Sequence, residues 1–280
     1  MGKIVLLASY PKSGNTWVRA FLTSLWRDGT NVNINRLMVP NASSKDFIES
    51  LLGTCSSDFG YFELANLRPE LYDLVTRRSP ADDRVFLKMH DAFLSLSDSL
   101  PAPIYRSNID RVVYIVRDPR NIAPSLARHL GTSIDRAIDV MGNPHYKLSF
   151  YPRRVGQHIP QLLSTWSVHV ESWFSCAEVP VQLIRYEDML GNPLSTFSAM
   201  LQFLEVEASA TAVGDAIQAT QLSVLMQKER TGGFVEKPPG KHSFFHGGVW
   251  QPWRTTLSLS QSTAIETAHE AVMNRLGYLP

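Results

Sequence analysis

Ile4-Val5-Leu6-Leu7-Ala8, followed one residue later by Tyr10-Pro11-Lys12-Ser13-Gly14-Asn15-Thr16-Trp17, reads as a buried strand that runs through a tight turn into a helix. Trp17, Ala20, Phe21 and Leu25 recur at helical spacing, which predicts that the helix beyond the turn faces a core. Such a turn presents backbone N–H groups and the positive end of the helix dipole, and an anion is the natural occupant. The residue types suit one: Gly14 permits close backbone approach, Lys12 brings a mobile charge, and Ser13 and Thr16 bring hydroxyl donors. The competing local reading is an ordinary strand-to-helix loop that happens to contain Gly and Lys.

Working outward, short apolar runs recur at Val85–Leu87, Val112–Val116 and Val181–Ile184, separated by segments long enough for helices. That alternation predicts an α/β fold with a central parallel sheet flanked by helices, in one domain over residues 1–280. A second strand-to-helix switch is predicted after Val116, with Asp118 as N-cap and Pro119 in the first turn. The C-terminus reads as a helix from about Ser260, with Ile265, Ala268, Val272 and Leu276 on one stripe and Gly277 past its end. Two stretches carry no clear pattern: Asn31 to Asp58, and Thr231 to Trp253, the second read as a mobile loop over a ligand.

The 280 residues are 44% hydrophobic with a formal net charge of +1, so a sizeable core is predicted and any anion site must be local. With no basic surplus to displace counterions, nucleic-acid binding is disfavoured. Cys55 and Cys176 are too few for a disulfide framework and suit a reducing cytoplasm. No apolar run is long enough for a membrane span or a signal segment. No cysteine and histidine cluster has zinc spacing, and neither G-x-S-x-G nor G-x-G-x-x-G occurs, so no metal, serine hydrolase or dinucleotide chemistry is predicted.

Four segments, in order along nearly the whole chain, resemble the cytosolic-type sulfotransferases that use 3′-phosphoadenosine 5′-phosphosulfate (PAPS) and release adenosine 3′,5′-bisphosphate (PAP). Tyr10–Trp17 is similar to the family's YPKSGTTW turn, with Asn15 the one difference. Tyr114-Ile115-Val116-Arg117-Asp118-Pro119-Arg120-Asn121, with Ser125 beyond, resembles the segment whose arginine and serine hold the 3′-phosphate. Ile184-Arg185-Tyr186-Glu187-Asp188-Met189 resembles the segment whose tyrosine lies beside adenine, and Phe86-Leu87-Lys88-Met89-His90 the strand end that carries the catalytic histidine.

The resemblance implies a P-loop-nucleotide-kinase-like fold and a nucleotide site formed by Lys12, Ser13, Gly14, Asn15, Thr16, Trp17, Arg117, Ser125 and Tyr186. Two departures stand out. The family's F-R-K-G segment is here Phe245-His246-Gly247-Gly248, which removes two fixed positive charges but keeps backbone donors. The family's adenine-packing aromatic aligns with Leu222, which can bury a base without stacking on it.

By the same resemblance, His90 is the general base for an acceptor hydroxyl or amine, Lys12 stabilises the departing oxygen, and Lys88 holds the sulfuryl oxygens. Asp91 or a backbone carbonyl sets the histidine tautomer. The acceptor is expected to be a small apolar or aromatic molecule, met by residues such as Phe59, Tyr61, Phe62, Tyr146, Phe150, Tyr151, Phe234 and Phe244. The protein is expected to be a cytoplasmic monomer or homodimer. The alternatives are a P-loop phosphotransferase and a catalytically inactive nucleotide-binding regulator. Against the first, no G-x-x-x-x-G-K-[ST] occurs: Lys241 is followed by His242, and Val235 stands where the first glycine belongs.

Overall fold

A computed structural model describes residues 1–27, 29, 32–80, 83–94, 103–151, 156–175, 179–237, 243–245 and 252–280. The strands are β1 (Lys3–Ser9), β2 (Arg84–Met89), β3 (Ile109–Val116), β4 (Lys147–Leu148), β5 (Gln161–Leu162) and β6 (Val181–Arg185). The helices of the N-terminal half are α1 (Asn15–Leu25), α2 (Lys45–Leu52), α3 (Tyr61–Arg78), α4 (Pro119–Leu130) and α5 (Ile134–Met141). Those that follow are α6 (Trp166–Phe174), α7 (Tyr186–Gly191), α8 (Pro193–Phe203), α9 (Ala210–Ala219), α10 (Leu222–Gly232), α11 (Trp253–Thr256) and α12 (Leu259–Arg275).

All four apolar runs are strands, and they form one sheet in the order β2-β1-β3-β6. The two inner strands are the two with the longest unbroken apolar runs: every residue of β1 after Lys3 is buried, as are the last five of β3. Strands covered on both faces need no polar alternation, and the α/β class follows. Strand β1 pairs in parallel with β2, from Lys3 opposite Arg84 to Ala8 opposite Met89.

The described residues fall into two compact units, each assembled from three stretches of chain. The first comprises Met1–Tyr10, Pro40–Tyr114 and Val140–Leu183; the second comprises Pro11–Val39, Ile115–Asp139 and Ile184–Pro280. In the first, the backbone of Lys88 is bonded to the 40–42 segment, donating to the Pro40 carbonyl and accepting from the Ala42 amide. In the second, Phe21 stacks on Phe197 with ring centroids 4.1 Å apart, joining α1 to α8. No described helix is long and apolar enough to cross a membrane.

Several sequence expectations are refined. Helix α4 begins as read: the Asp118 carboxylate accepts from the Arg120 amide at 2.9 Å, with Pro119 next. The unpatterned stretch from Asn31 contains α2, capped by Ser44 and ended by Gly53 at φ 71°, so its signals lay at the helix ends rather than in periodicity. Helix α12 starts at Leu259 under a reciprocal cap between Ser258 and Gln261. Its buried stripe is Ser262, Ile265, His269, Val272 and Met273; Ala268 is exposed, contrary to the periodic reading, because the stripe passes through the histidine beside it. Gly277, at φ 69°, closes the helix as expected, with Gly277 N–H donating to Asn274 and Tyr278 N–H to Met273.

His169 and His269 are both buried, and desolvation lowers each from the ordinary 6.5 to about 4. Both are neutral in the folded chain, whereas the unfolded chain protonates them near 6.5. Their contribution to stability is complete above that pH and is lost as pH falls toward 4. Burial raises the Glu187 carboxyl, which acts in the opposite sense. We therefore expect the melting temperature to fall from pH 6.5 to 4.5, and to fall less steeply in His269→Gln, as read by scanning calorimetry across that range.

Candidate active site

The turn after β1 is built as its residue types require. Lys12 and Gly14 both lie in the left-handed region, at φ 72° and 101°, folding the backbone tightly into α1. A Cβ on Gly14 would sit 2.6 Å from Tyr186 Cδ2, so a second constraint beyond φ demands glycine. The N-terminus of α1 has no side-chain cap and no acidic residue in its first turn, whereas α4 is capped by its own Asp118. The positive end of α1 is thus left for an external anion. The Ser13 hydroxyl beside it is buried with no hydrogen-bond partner.

Arg117, Tyr186 and Lys12 meet around that turn, within the second unit. The Arg117 guanidinium lies 4.4 Å from the centre of the Tyr186 ring, and its Nη1 donates to the Lys12 carbonyl at 3.0 Å. Its Nε is buried and unpartnered, a donor pointing to an acceptor the chain does not supply. Trp17 packs edge-on against Tyr186 at 6.1 Å, and its indole N–H is likewise buried without a partner. Together Ser13 Oγ, Arg117 Nε and Trp17 Nε1 are orphaned buried donors, a set that fits a phosphate-bearing aromatic ligand.

Glu187 explains why these segments converge. Its Oε1 accepts from the Asp118 amide at 3.1 Å and its Oε2 from the Tyr278 hydroxyl at 3.0 Å, which ties Tyr186 to the strand exit that carries Arg117. Arg120 braces the same end by donating to Asp118, Glu266 and the Tyr278 carbonyl.

Leu222 is half-buried on a cluster of Ala20, Val32, Ile34, Leu225, Phe234 and Phe245, together with Trp17 and Phe244. Phe234 belongs to that core. Phe244 lies under the Lys12 ammonium, 4.3 Å from ring centre to Nζ, so its first role is beside the anion turn. Glu229 on α10 holds this aromatic by its main chain, accepting from the Phe244 and Phe245 amides at 2.6 and 2.8 Å. Asn15 is buried at the first position of α1, Thr16 is half-buried, and Ser125 is half-buried on α4. His246, Gly247 and Gly248 lie outside the described residues.

The histidine expected as general base lies in the first unit. His90 is the first residue after β2, and continuing the β1/β2 register one step past Ala8 and Met89 sets it opposite Ser9. His90 Nδ1 is 2.7 Å from the Ser9 carbonyl oxygen, which can only accept, so Nδ1 carries the proton and Nε2 keeps its lone pair. Of the two groups expected to set this tautomer, a backbone carbonyl does so. Asp91 instead forms a buried two-pronged pair with Arg68 at 2.8 and 2.7 Å. Lys88 is buried in β2.

A cavity in this unit is lined by Leu64, Ala65, Arg68, Asp91, Ile159 and Leu162, among others, none of them aromatic. The aromatic residues proposed from sequence for an acceptor pocket are distributed otherwise: Phe62, Phe150 and Tyr151 are exposed. The sequence reading missed Ser9, Glu229 and His169, which lie on β1, α10 and α6. The one visible signal was a histidine on the apolar face of α6, between Trp166 and Trp173.

The central sheet with its strand-turn-helix start and the Arg117–Tyr186 pair define an α/β protein with an uncapped helix N-terminus beside buried donors. A model of the sulfotransferase domain matches residues 3–277, and the chain belongs to that family. Sulfotransferase 1A1 of the dog is 24% identical over 279 residues, covering 98% of this chain and 84% of that protein. Rat sulfotransferase 2A6 is 21% identical over 276 residues, covering 96% and 84%. Among solved structures, mouse sulfotransferase SULT7A1 complexed with PAP aligns with a TM-score of 0.59 at 16% identity, over 97% of this chain and 84% of that one. Retinol dehydratase in complex with androsterone and inactive cofactor PAP aligns with a TM-score of 0.60 at 17% identity, over 96% and 80%. At such identities these structures speak for the fold.

Gly14→Ala combines a strained φ with a clash on Tyr186, and should cost about 1–3 kcal/mol. Thermal melts of the two proteins measure that loss, and quenching of Trp17 and its neighbours on titration with PAP reports the accompanying loss of nucleotide affinity.

Proposed function

We propose that the chain transfers a sulfuryl group from PAPS to the hydroxyl, or the amine, of a small acceptor, apolar or aromatic in character, releasing PAP. The family membership supports sulfuryl transfer. The observation that carries the rest is the His90 tautomer, since Nδ1–H on the Ser9 carbonyl puts the ring's lone pair on Nε2, the form a general base needs.

PAPS supplies an activated sulfur and a stable leaving group. His90 Nε2 takes the acceptor's proton as its oxygen or nitrogen bonds to sulfur. Lys12 would stabilise the oxygen that departs with the nucleotide as its bond to sulfur breaks, and Lys88 would stabilise the sulfuryl oxygens. Ser13, Gly14, Asn15 and Thr16 hold the 5′ end on the positive terminus of α1. Arg117 and Ser125 hold the 3′-phosphate. Trp17, Tyr186 and Leu222 bound the adenine. Burial raises the Tyr186 phenol, which therefore stays neutral beside Arg117.

For the acceptor, the largely aliphatic cavity that includes Asp91 supports a compact apolar body. We treat residues 1–280 as one sulfotransferase domain, supported by the family match over 3–277 and by two units that interleave along the chain. Cytoplasmic residence and a monomeric or homodimeric state complete the reading, the first supported by an exposed free Cys55.

Transfer from labelled PAPS to a panel of phenols, alcohols and amines tests the proposal. His90→Ala should lower turnover by about 10²–10⁴-fold with PAP affinity nearly unchanged by calorimetry. Arg117→Ala should weaken PAP by about tenfold or more, the loss of a charge-assisted bond, and Lys12→Ala should damage both binding and turnover. A wild-type protein that binds PAP but transfers nothing to any acceptor would leave the inactive regulator as the better reading.

A further inference from the structure

The backbone that carries His90 is held from one side by a single helix. Helix α6 contributes three side chains to residues 90–93: His169 Nε2 lies 3.0 Å from the His90 carbonyl, Trp173 Nε1 donates to the Asp91 carbonyl at 3.1 Å, and Ser172 Oγ accepts from the Phe93 amide at 2.9 Å. The Ala92 amide is bonded to the Leu162 carbonyl at 2.7 Å. Asp91 is clamped by Arg68, which also reaches the Tyr72 hydroxyl. His90 is thus anchored at its ring by Ser9 and at its carbonyl by His169.

The His169 contact differs from the others because it depends on a tautomer. A carbonyl oxygen only accepts, so Nε2 must carry the proton. Nδ1 is then an acceptor, and the Tyr114 hydroxyl lies 2.8 Å from it. Tyr114 is buried, and desolvation keeps its phenol protonated, so it is a donor at every working pH. The backbone of Tyr10, two residues before Lys12, is bonded to the same hydroxyl, and the Tyr10 ring meets His169 edge-on at 5.2 Å. All of these residues lie in the first unit.

We propose that His169 is a positioning residue for the transfer reaction: its Nε2–H holds the carbonyl of His90, and the Tyr114 hydroxyl fixes the tautomer that lets it do so. The claim rests on the role of His90 given above. A fully protonated His169 would lose the Tyr114 bond, and burial opposes that state, lowering its pKa to about 4. Asp91, paired with Arg68, favours the charged form of His169 but is outweighed by its burial.

Three variants test it. His169→Phe keeps a ring and removes both bonds; His169→Gln retains one donor and one acceptor; Tyr114→Phe removes only the donor that sets the tautomer. His169→Phe is expected to lower kcat about tenfold or more through displacement of the base, with the KM for PAPS within about twofold. His169→Gln is expected to recover most of that loss, and Tyr114→Phe to fall between them. A folded His169→Phe with kcat within about twofold of wild type would overturn the proposal, as would equal kcat in the Phe and Gln variants.

Should His169→Phe fail to fold, Tyr114→Phe decides by NMR of imidazole-labelled protein. The wild type should show a single Nε2–H tautomer at His169 and Nδ1–H at His90; the variant should show mixed tautomers at His169 with a shifted His90 signal. Unchanged signals at both rings would overturn it. These spectra need no turnover, so a protein without sulfotransferase activity would sink the proposed function while the spectra still decided the linkage between His169 and His90.

Discussion

Everything in this chain hangs on the parallel pairing of β1 with β2 and on where β1 ends. The register brings Ser9 opposite His90, and the Ser9 carbonyl then dictates which imidazole nitrogen carries the proton. Three residues further along, the same chain enters the left-handed turn at Lys12 that opens α1. One buried strand exit therefore sets which nitrogen of the His90 ring carries its proton and leads, in the following residues, into the left-handed turn. A one-residue slip in that pairing would put a different backbone oxygen at the imidazole, since strand faces alternate with every residue.

The start of α1 is organised differently, around unsatisfied donors. A protein interior ordinarily leaves few buried polar atoms without partners, because each costs the desolvation of that group. Ser13, Trp17 and Arg117 each hold one such atom, and all lie on or beside the uncapped end of α1. The pattern contrasts with α4, whose first turn is satisfied by Asp118 and whose neighbouring carboxylate Glu187 is fully engaged by Asp118 and Tyr278. Satisfied bonding at the start of α4 thus holds the strand exit that carries Arg117, while the start of α1 has no side-chain cap.

The sequence made the sheet legible because a strand covered on both faces must be apolar throughout, and β1 and β3 are. Asp118 and Pro119 were legible because caps act within three residues. What escaped depended on distant partners. The α12 stripe was read through Ala268, although the buried position belongs to His269, since hydropathy alone ranks alanine above a desolvated histidine. The position of the Phe244 ring under Lys12, more than two hundred residues earlier in the chain, was not visible in the sequence. The competition between Asp91 and a carbonyl for His90 was settled by Arg68, which occupies the carboxylate completely.

The bond between Glu229 and the aromatic pair after Ser243 has an evolutionary corollary. Because the carboxylate grips main-chain amides rather than side chains, its tether to residue 244 tolerates any substitution except proline, which lacks the N–H, whereas Phe245 is held as well by its burial in the apolar cluster. Drift in that short stretch can therefore retune what overlies the lysine while the attachment itself stays put, provided that one glutamate is kept.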